Sequence, residues 1–362
     1  MDASKAGAGG SPPKRAATDG ARPKRAAASA SPPKRAAAGA ADRSRHDGAA
    51  PGKQSGAQSR KYRLDHGQPI GAEVARMARG RIEHALDELS GASGSSPEEA
   101  VHEARKDMKK LRALLRLVRP QLGEPLYARE NARFRDAARR LSDVRDADVM
   151  LAALGSLEGV ERGAARRLRA ALRAHRARLE AESGGGVDAS RQQVAAELAE
   201  AREAVAGWPL EGEGFAAIEP GLRRVYAQGR NRYRAALRDP SPERLHDWRK
   251  RVKDHWYHLT ILRDLWPAPM EALAHEAHVL SERLGDDHDL VVLRDWAHER
   301  AGELRLDSPE SLDEAVARRR AKLLADAIAI GRRLYGEKAA VVTRRTGRWF
   351  EAWMAGAPTP VP

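Results

Sequence analysis

Apolar residues recur every three or four positions through most of the chain, and short breaks of Gly, Pro and Ser interrupt them. That is the period of one face of an α-helix. It predicts helices at about 69–90, 97–119, 124–153, 160–182 and 188–206 in a first half. A second half repeats the texture at about 215–238, 241–265, 268–300, 309–337 and 339–355. No run keeps the strand period of two, so the expected fold is all-α. Two helix starts are written alike. Ser96-Pro97-Glu98-Glu99 and Ser241-Pro242-Glu243 each offer an N-cap, a first-turn proline and early acids.

Before about residue 58 the periodicity vanishes. Ala, Gly, Ser, Pro, Lys and Arg dominate, and one phrase returns as SPPKRAA at Ser11–Ala17, RPKRAAA at Arg22–Ala28 and SPPKRAAA at Ser31–Ala38. Such a segment cannot bury a core, and a disordered tail is expected over 1–58. All seven Trp residues, Trp208 to Trp353, fall in the second half, which predicts a bulkier core there.

The two halves share more than texture. Val101–Pro120 reads VHEARKDMKKLRALLRLVRP, and Leu245–Asp264 reads LHDWRKRVKDHWYHLTILRD. At an offset of 144 residues His102 matches His246, Arg105 matches Arg249, Lys106 matches Lys250 and Lys109 matches Lys253. A second pair follows each copy: LSDVRD at Leu141–Asp146 and LGDDHD at Leu284–Asp289. Two spaced matches in one order indicate a duplicated unit. The expected architecture is two pseudo-twofold-related four-helix bundles over 59–357, the first 59–206 and the second 207–357.

Charge adds a direction. Lys and Arg number 65 against 51 acids, and the formal charge is +14. That excess favours nucleic acid, acidic membrane or condensed phosphates. Residues 1–60 hold 12 of the Lys/Arg and only 4 acids, so the folded part is mildly basic and any anion site there must come from clustering. Placed on a helix, His102, Arg105, Lys106, Lys109 and Arg116 share one face, and Ala104, Met108, Leu111, Leu115 and Val118 lie opposite. In the second copy His246, Arg249, Lys250 and Lys253 oppose Trp248, Val252, Leu259 and Leu262. A solvated face normally mixes Glu with Lys at i,i+4, whereas this stripe is nearly of one sign and occurs twice. It spans roughly 11 Å, longer than a single phosphate requires.

Arg145-Asp146 and His288-Asp289 form the partner motif. An Asp there can orient its cation and keep a His protonated. Two alternatives stand beside that: helix-end salt bridges, or a divalent metal on Asp286, Asp287, His288 and Asp289. Arg145 in the first copy is a poor metal ligand, which weakens a shared metal role. Three other basic groupings occur: Arg223, Arg230 and Arg234 with Tyr226 and Tyr233 beside them; Arg166, Arg169, Arg173 and Arg176; and the looser Arg319, Arg333 and Lys338. Arg230 and Arg234 are favoured to extend a groove, and Gly80-Arg81 and Gly229-Arg230 match internally. The chain has no cysteine, which excludes disulfides, thiolate metal sites and Cys nucleophiles. It has no phosphate-binding Gly-Lys-Ser/Thr loop, no Gly-x-Ser-x-Gly elbow and no HExxH. No enzymatic activity, cofactor or metal is expected. Nor is a secretory signal or a membrane span.

VHEARKDMKKLRALLR and LHDWRKRVKDHW, each followed by LSDVRDADV or LGDDHDLVVL, resemble the CHAD family of histidine-containing α-helical domains. KYRLDHGQPIGAEVARMARGRIEHAL and GRRLYGEKAAVVTRR extend the resemblance over residues 61–355. It implies a pair of four-helix bundles with a basic central groove, inorganic polyphosphate as ligand, and cytoplasmic association with polyphosphate granules. The ligand set it implies is His102, Arg105, Lys106, Lys109, His246, Arg249, Lys250 and Lys253, with Arg145 and His288 in the second motif. Lys110 and Arg112 become Asp254 and Trp256 in the second copy, so unequal halves are expected. The chain carries no triphosphatase-like tunnel domain of the kind fused to some members. The basic tail offers a rival reading, weak nucleic-acid binding through its Lys-Arg pairs.

Overall fold

A computed structural model describes residues 60–141, 145–183, 186–304 and 310–356. The tail expected over 1–58 lies outside these described residues. Among them there is no strand, and twelve helices account for the fold. In chain order they are α1 (Ile70–Ser90), α2 (Pro97–Leu117), α3 (Arg119–Arg140), α4 (Arg145–Gly155), α5 (Arg162–Ser183) and α6 (Gly186–Ala204). The second half supplies α7 (Glu219–Arg238), α8 (Pro242–Ile261), α9 (Pro267–Glu299), α10 (Ala301–Leu304), α11 (Glu310–Leu334) and α12 (Ala339–Ala355).

The duplication is visible in the packing. α1 lies on α2 and α2 on α3, just as α7 lies on α8 and α8 on α9. The last helix of each half returns to the first, α6 to α1 and α12 to α7. One difference separates the third helices. α9 runs unbroken for 33 residues. Its counterpart, expected as one helix over about 124–153, is instead two helices, α3 and α4. α3 also bends at Gly123, whose φ of 73° is non-helical and which Pro125 follows.

Both repeated helices begin as their sequences predict. Ser96 Oγ accepts from the Glu99 amide at 3.2 Å, and Ser241 Oγ accepts from the Arg244 amide at 3.4 Å. Each is followed by a proline at the first helical position. Equal starts put the two basic stripes in equal register.

Buried apolar side chains gather in two clusters. The larger runs through both repeats, from Tyr62 and Leu64 to Phe350. The smaller joins α4 and α5 to the ends of α9 and α11 through Met150, Leu154, Leu168, Leu172, Leu290, Leu293 and Leu312. The bulkier core expected in the second half is present: Trp248, Tyr226 and Tyr335 are the largest of the fully buried side chains. Trp208 and Trp248 are buried, but Trp266 is 52% exposed and leans edge-on against Trp349. Indole is bulky and carries an N–H donor, so it gathers as readily at the margin of a core as at its centre.

The halves meet along α2 and α8. His258 Nε2 donates to the Ala113 carbonyl at 2.9 Å, and Arg116 pairs with Asp254 at 3.4 Å. An extended strap ahead of α1 crosses the same junction. The Leu64 amide donates to Ile261 O, the Tyr62 hydroxyl donates to Lys110 O, and the Tyr62 ring stands edge-on to Tyr257.

Candidate anion-binding site

The opposite faces predicted for the repeated helices are real. Ala104, Met108, Leu111, Leu115 and Val118 are buried in α2 and its cap, as are Trp248, Val252, Leu259 and Leu262 in and just after α8. This leaves His102, Arg105, Lys106 and Lys109 on one outer face and His246, Arg249, Lys250 and Lys253 on the other. Freely solvated Lys and Arg side chains are normally exposed. Here only Lys250 is, and the other seven residues are half-buried. The stripes therefore sit beside neighbouring structure. Each carries the same internal brace: Lys106 pairs with Glu103 at 2.8 Å, and Lys250 pairs with Asp247 at 3.2 Å.

Arg116 leaves the stripe. It is 9% exposed and held between Asp254 and the Arg112 carbonyl. Helical spacing alone placed it with the cations, but it lies where α2 meets α8, and an apolar junction with one acid fixes its direction.

The second repeat builds the denser part of the site. α9 brings His288 over His246, with ring centroids 4.4 Å apart. Burial, then the charges of His288, Lys250 and Arg249, push the His246 imidazole down to about 4, against the pull of Asp247. Among the described residues, the buried His246 Nδ1 has no hydrogen-bond partner. Burial and Arg249 also lower His288, which Asp289 and Asp287 partly offset. Asp286 and Asp289 are both raised, first by burial, although Arg283 and Arg249 respectively oppose the shift. Lys250 acts on both histidines and Lys253 acts on Asp289. One continuous field therefore joins the stripe of α8 to the motif of α9.

Two residues of this surface, Gly285 and Arg320, belong to none of the basic groupings named from the sequence, and a third, Arg319, belongs only to a loose one. Gly285 faces the Arg249 guanidinium so closely that an added Cβ would lie 2.7 Å from Nη2. Arg320 on α11 grips Asp287, its Nε donating to Oδ1 at 2.8 Å and Nη2 to Oδ2 at 3.3 Å. That grip turns Asp287 towards α11 and fixes the helix that carries His288. Arg319, beside it, acts on Asp286, and its buried Nε has no hydrogen-bond partner among the described residues. The only sequence signals were the glycine inside LGDDHD and the run Arg318-Arg319-Arg320.

The first repeat differs. Arg145 opens α4, but its side chain lies outside the described residues. Asp107, 1% exposed, gathers His84 at 2.6 Å, Arg81 at 3.3 Å and Lys110 at 3.4 Å. Burial lowers Lys110 despite Asp107. Burial and Arg116 push Arg112 down to about 10. Of the two arginines favoured on α7, Arg230 is half-buried and donates from Nε to the Tyr335 carbonyl at 3.2 Å. Arg234 is exposed.

A family model described as the CHAD domain matches residues 76–298. The crystal structure of the CHAD domain from the plant Ricinus communis aligns with 80% of this chain and 95% of its own, at a TM-score of 0.50 and 19% identity. That likeness concerns the fold. None of the curated proteins matches the chain. The matched span exceeds half of the 362 residues and contains both basic stripes and the His246–His288 pair, and on that ground the chain belongs to the CHAD domain family.

Proposed function

We propose that this protein binds inorganic polyphosphate without catalysis, through a basic groove lined by α2, α8 and the middle of α9, and that it associates with cytoplasmic polyphosphate granules. The family is linked to polyphosphate binding in general. The observation that carries the proposal is the field of His246, Arg249, Lys250, Lys253 and His288 drawn together from α8 and α9. Like charges so close repel unless an anion lies among them. Arg offers a planar fork for two phosphate oxygens and Lys a compact point charge, so a linear chain of phosphates can be met at successive turns. His102, Arg105, Lys106 and Lys109 supply the equivalent turns in the first repeat. Among the described residues no helix is long and apolar enough to cross a membrane.

Calorimetric titration of the chain with long-chain polyphosphate tests this, alongside Lys106→Ala/Lys250→Ala. Binding should weaken steeply with salt, by about one unit of log–log slope per phosphate contact. The double variant should lose roughly two of those units. Unchanged binding in the variant would remove the stripes from the site. Phosphate release from the polymer would remove the non-catalytic reading.

A further inference from the structure

A second cationic surface lies on α5, outside the duplicated ligand set. Between Glu161 and Glu180 the chain has seven arginines and no acid. Arg162, Arg166, Arg169, Arg173 and Arg176 are spaced 4, 3, 4 and 3 residues apart, which holds them within one narrow strip of the helix. All five are exposed. The neighbouring strip of α5 is anchored, with Ala164, Ala165, Leu168 and Leu172 buried. Arg176 pairs with Asp148 at 3.1 Å. Among the described residues, Arg162, Arg166, Arg169 and Arg173 make no ion pair. The one acid at the start of the helix is occupied, since the Glu161 carboxylate accepts from the Gly163 and Ala164 amides at 2.7 and 2.6 Å.

The repeat does not explain the stripe. At the offset of 144, its counterparts are Leu306, Glu310, Asp313, Ala317 and Arg320. Four of the five have lost the cation, and two of those are acids. A feature that the duplication does not keep serves something other than the duplicated groove.

We propose that the α5 arginine stripe docks the phosphate backbone of duplex nucleic acid, without sequence preference. Its length favours a stiff partner: the 15 residues from Arg162 to Arg176 make a straight rail of about 21 Å. A duplex carries one charge per roughly 1.7 Å, so about a dozen charges lie alongside that rail in a preset geometry. A flexible polyanion would lose chain entropy to lie straight on an open surface, whereas a duplex has little to lose. Guanidinium forks contact phosphate oxygens in pairs and read no base, which fixes orientation without specificity. Among the described residues no aromatic ring stacks along the strip, which tells against single strands.

The test uses the full chain, a fluorescent DNA duplex and the variant Arg162→Gln/Arg166→Gln/Arg169→Gln/Arg173→Gln. Gln keeps helix propensity, so α5 should persist. The basic tail is the same in both proteins and contributes equally to each. Over roughly 50 to 200 mM salt, the slope of log K against log salt should fall by about 0.9 per removed arginine, some 3 to 4 units for the quadruple variant. Arg166→Gln/Arg169→Gln should show about half of that. Polyphosphate titrated into the same variants should bind as it does to the parent. A duplex slope equal to the parent's overturns the proposal, and so does an equal loss for both polymers, which would make α5 a general polyanion surface. Loss of duplex binding in Lys106→Ala/Lys250→Ala with the α5 variant unaffected would place the duplex in the groove and overturn it as well.

Discussion

Gly285 shows how one missing side chain can serve a binding surface. The atom its Cβ would strike is the far end of the Arg249 guanidinium, a flexible group that can move away. Gly285→Ala should therefore cost little stability while displacing Arg249 from α9. Polyphosphate affinity should fall several-fold with the melting temperature held within a few degrees, as titration and thermal denaturation would show. A large drop in melting temperature would instead make Gly285 a packing residue. Two buried histidines make a different prediction. His255 and His258 are 2% and 0% exposed, and burial pushes them down to about 3 and about 4. The unfolded chain protonates them near 6.5, before the folded protein does. Stability they confer is complete above about 6.5 and is lost as pH falls towards 4 and 3, on the order of a few kcal/mol each. Leu111 and Leu114 stand at the equivalent places in α2. His255→Leu/His258→Leu should flatten the loss of melting temperature between neutral pH and pH 4.5. An unaltered acid limb would show that other groups drive acid unfolding.

At the scale of elements, the helices that carry the repeated stripes were the most legible part of the chain. Their caps, apolar faces and starts follow from residues within a few positions of one another, so short-range chemistry suffices. The misreadings came where long-range contacts decide. Arg116 has the spacing of a stripe residue, but Asp254 lies 138 positions away and only the crossing of α2 with α8 brings them together. The apolar period runs on from α3 into α4, so the spacing predicts one helix over about 124–153 where the structure has two. Arg320 sits in a run of three arginines, and only the fold brings it against Asp287 of α9, 33 positions away. The junction itself makes a prediction of element packing. An added Cβ at Gly221 of α7 would lie 1.8 Å from the Leu117 carbonyl oxygen at the end of α2. Backbone cannot yield as a side-chain tip can, so Gly221→Ala should push the two helices apart at a cost of about 1–3 kcal/mol. Denaturant unfolding at equilibrium measures it, and a variant as stable as the parent would show that this approach is loosely held.

Across the whole molecule the duplication preserves outline and varies chemistry. Asp107 and Lys110 form an ion pair on α2, and at the same places on α8 Arg251 and Asp254 form one with the signs reversed. The brace of acid and lysine is kept in both halves, but the second motif is not, since His288 stands where the first repeat has Arg145. Only the second repeat can therefore make anion binding depend on protons through that motif. The imidazoles of His246 and His288 face Arg249, Lys250, Asp247, Asp287 and Asp289. Without an anion the cations and burial hold both rings neutral at neutral pH. A phosphate chain among them favours the charged forms and raises both pKa values, so binding takes up protons and tightens as pH falls. Asp286 and Asp289 act in the same direction at lower pH, because their carboxyls, raised by burial, lose their charge there. The range from pH 8 to 6 isolates the imidazoles. His246→Gln/His288→Arg removes both titrations and installs in the second repeat the residue the first one carries. In this variant polyphosphate affinity should vary less with pH across that range, since His102 of the first repeat is the one ligand histidine left, and at pH 8 it should equal or exceed the parent's, because a permanent cation replaces a neutral ring. Calorimetry in two buffers of different ionisation enthalpy counts the protons directly: the parent should take up more than the variant. If the parent takes up no proton, or its affinity falls as the solution is acidified, the histidines are packing residues and the binding surface consists of arginine and lysine alone.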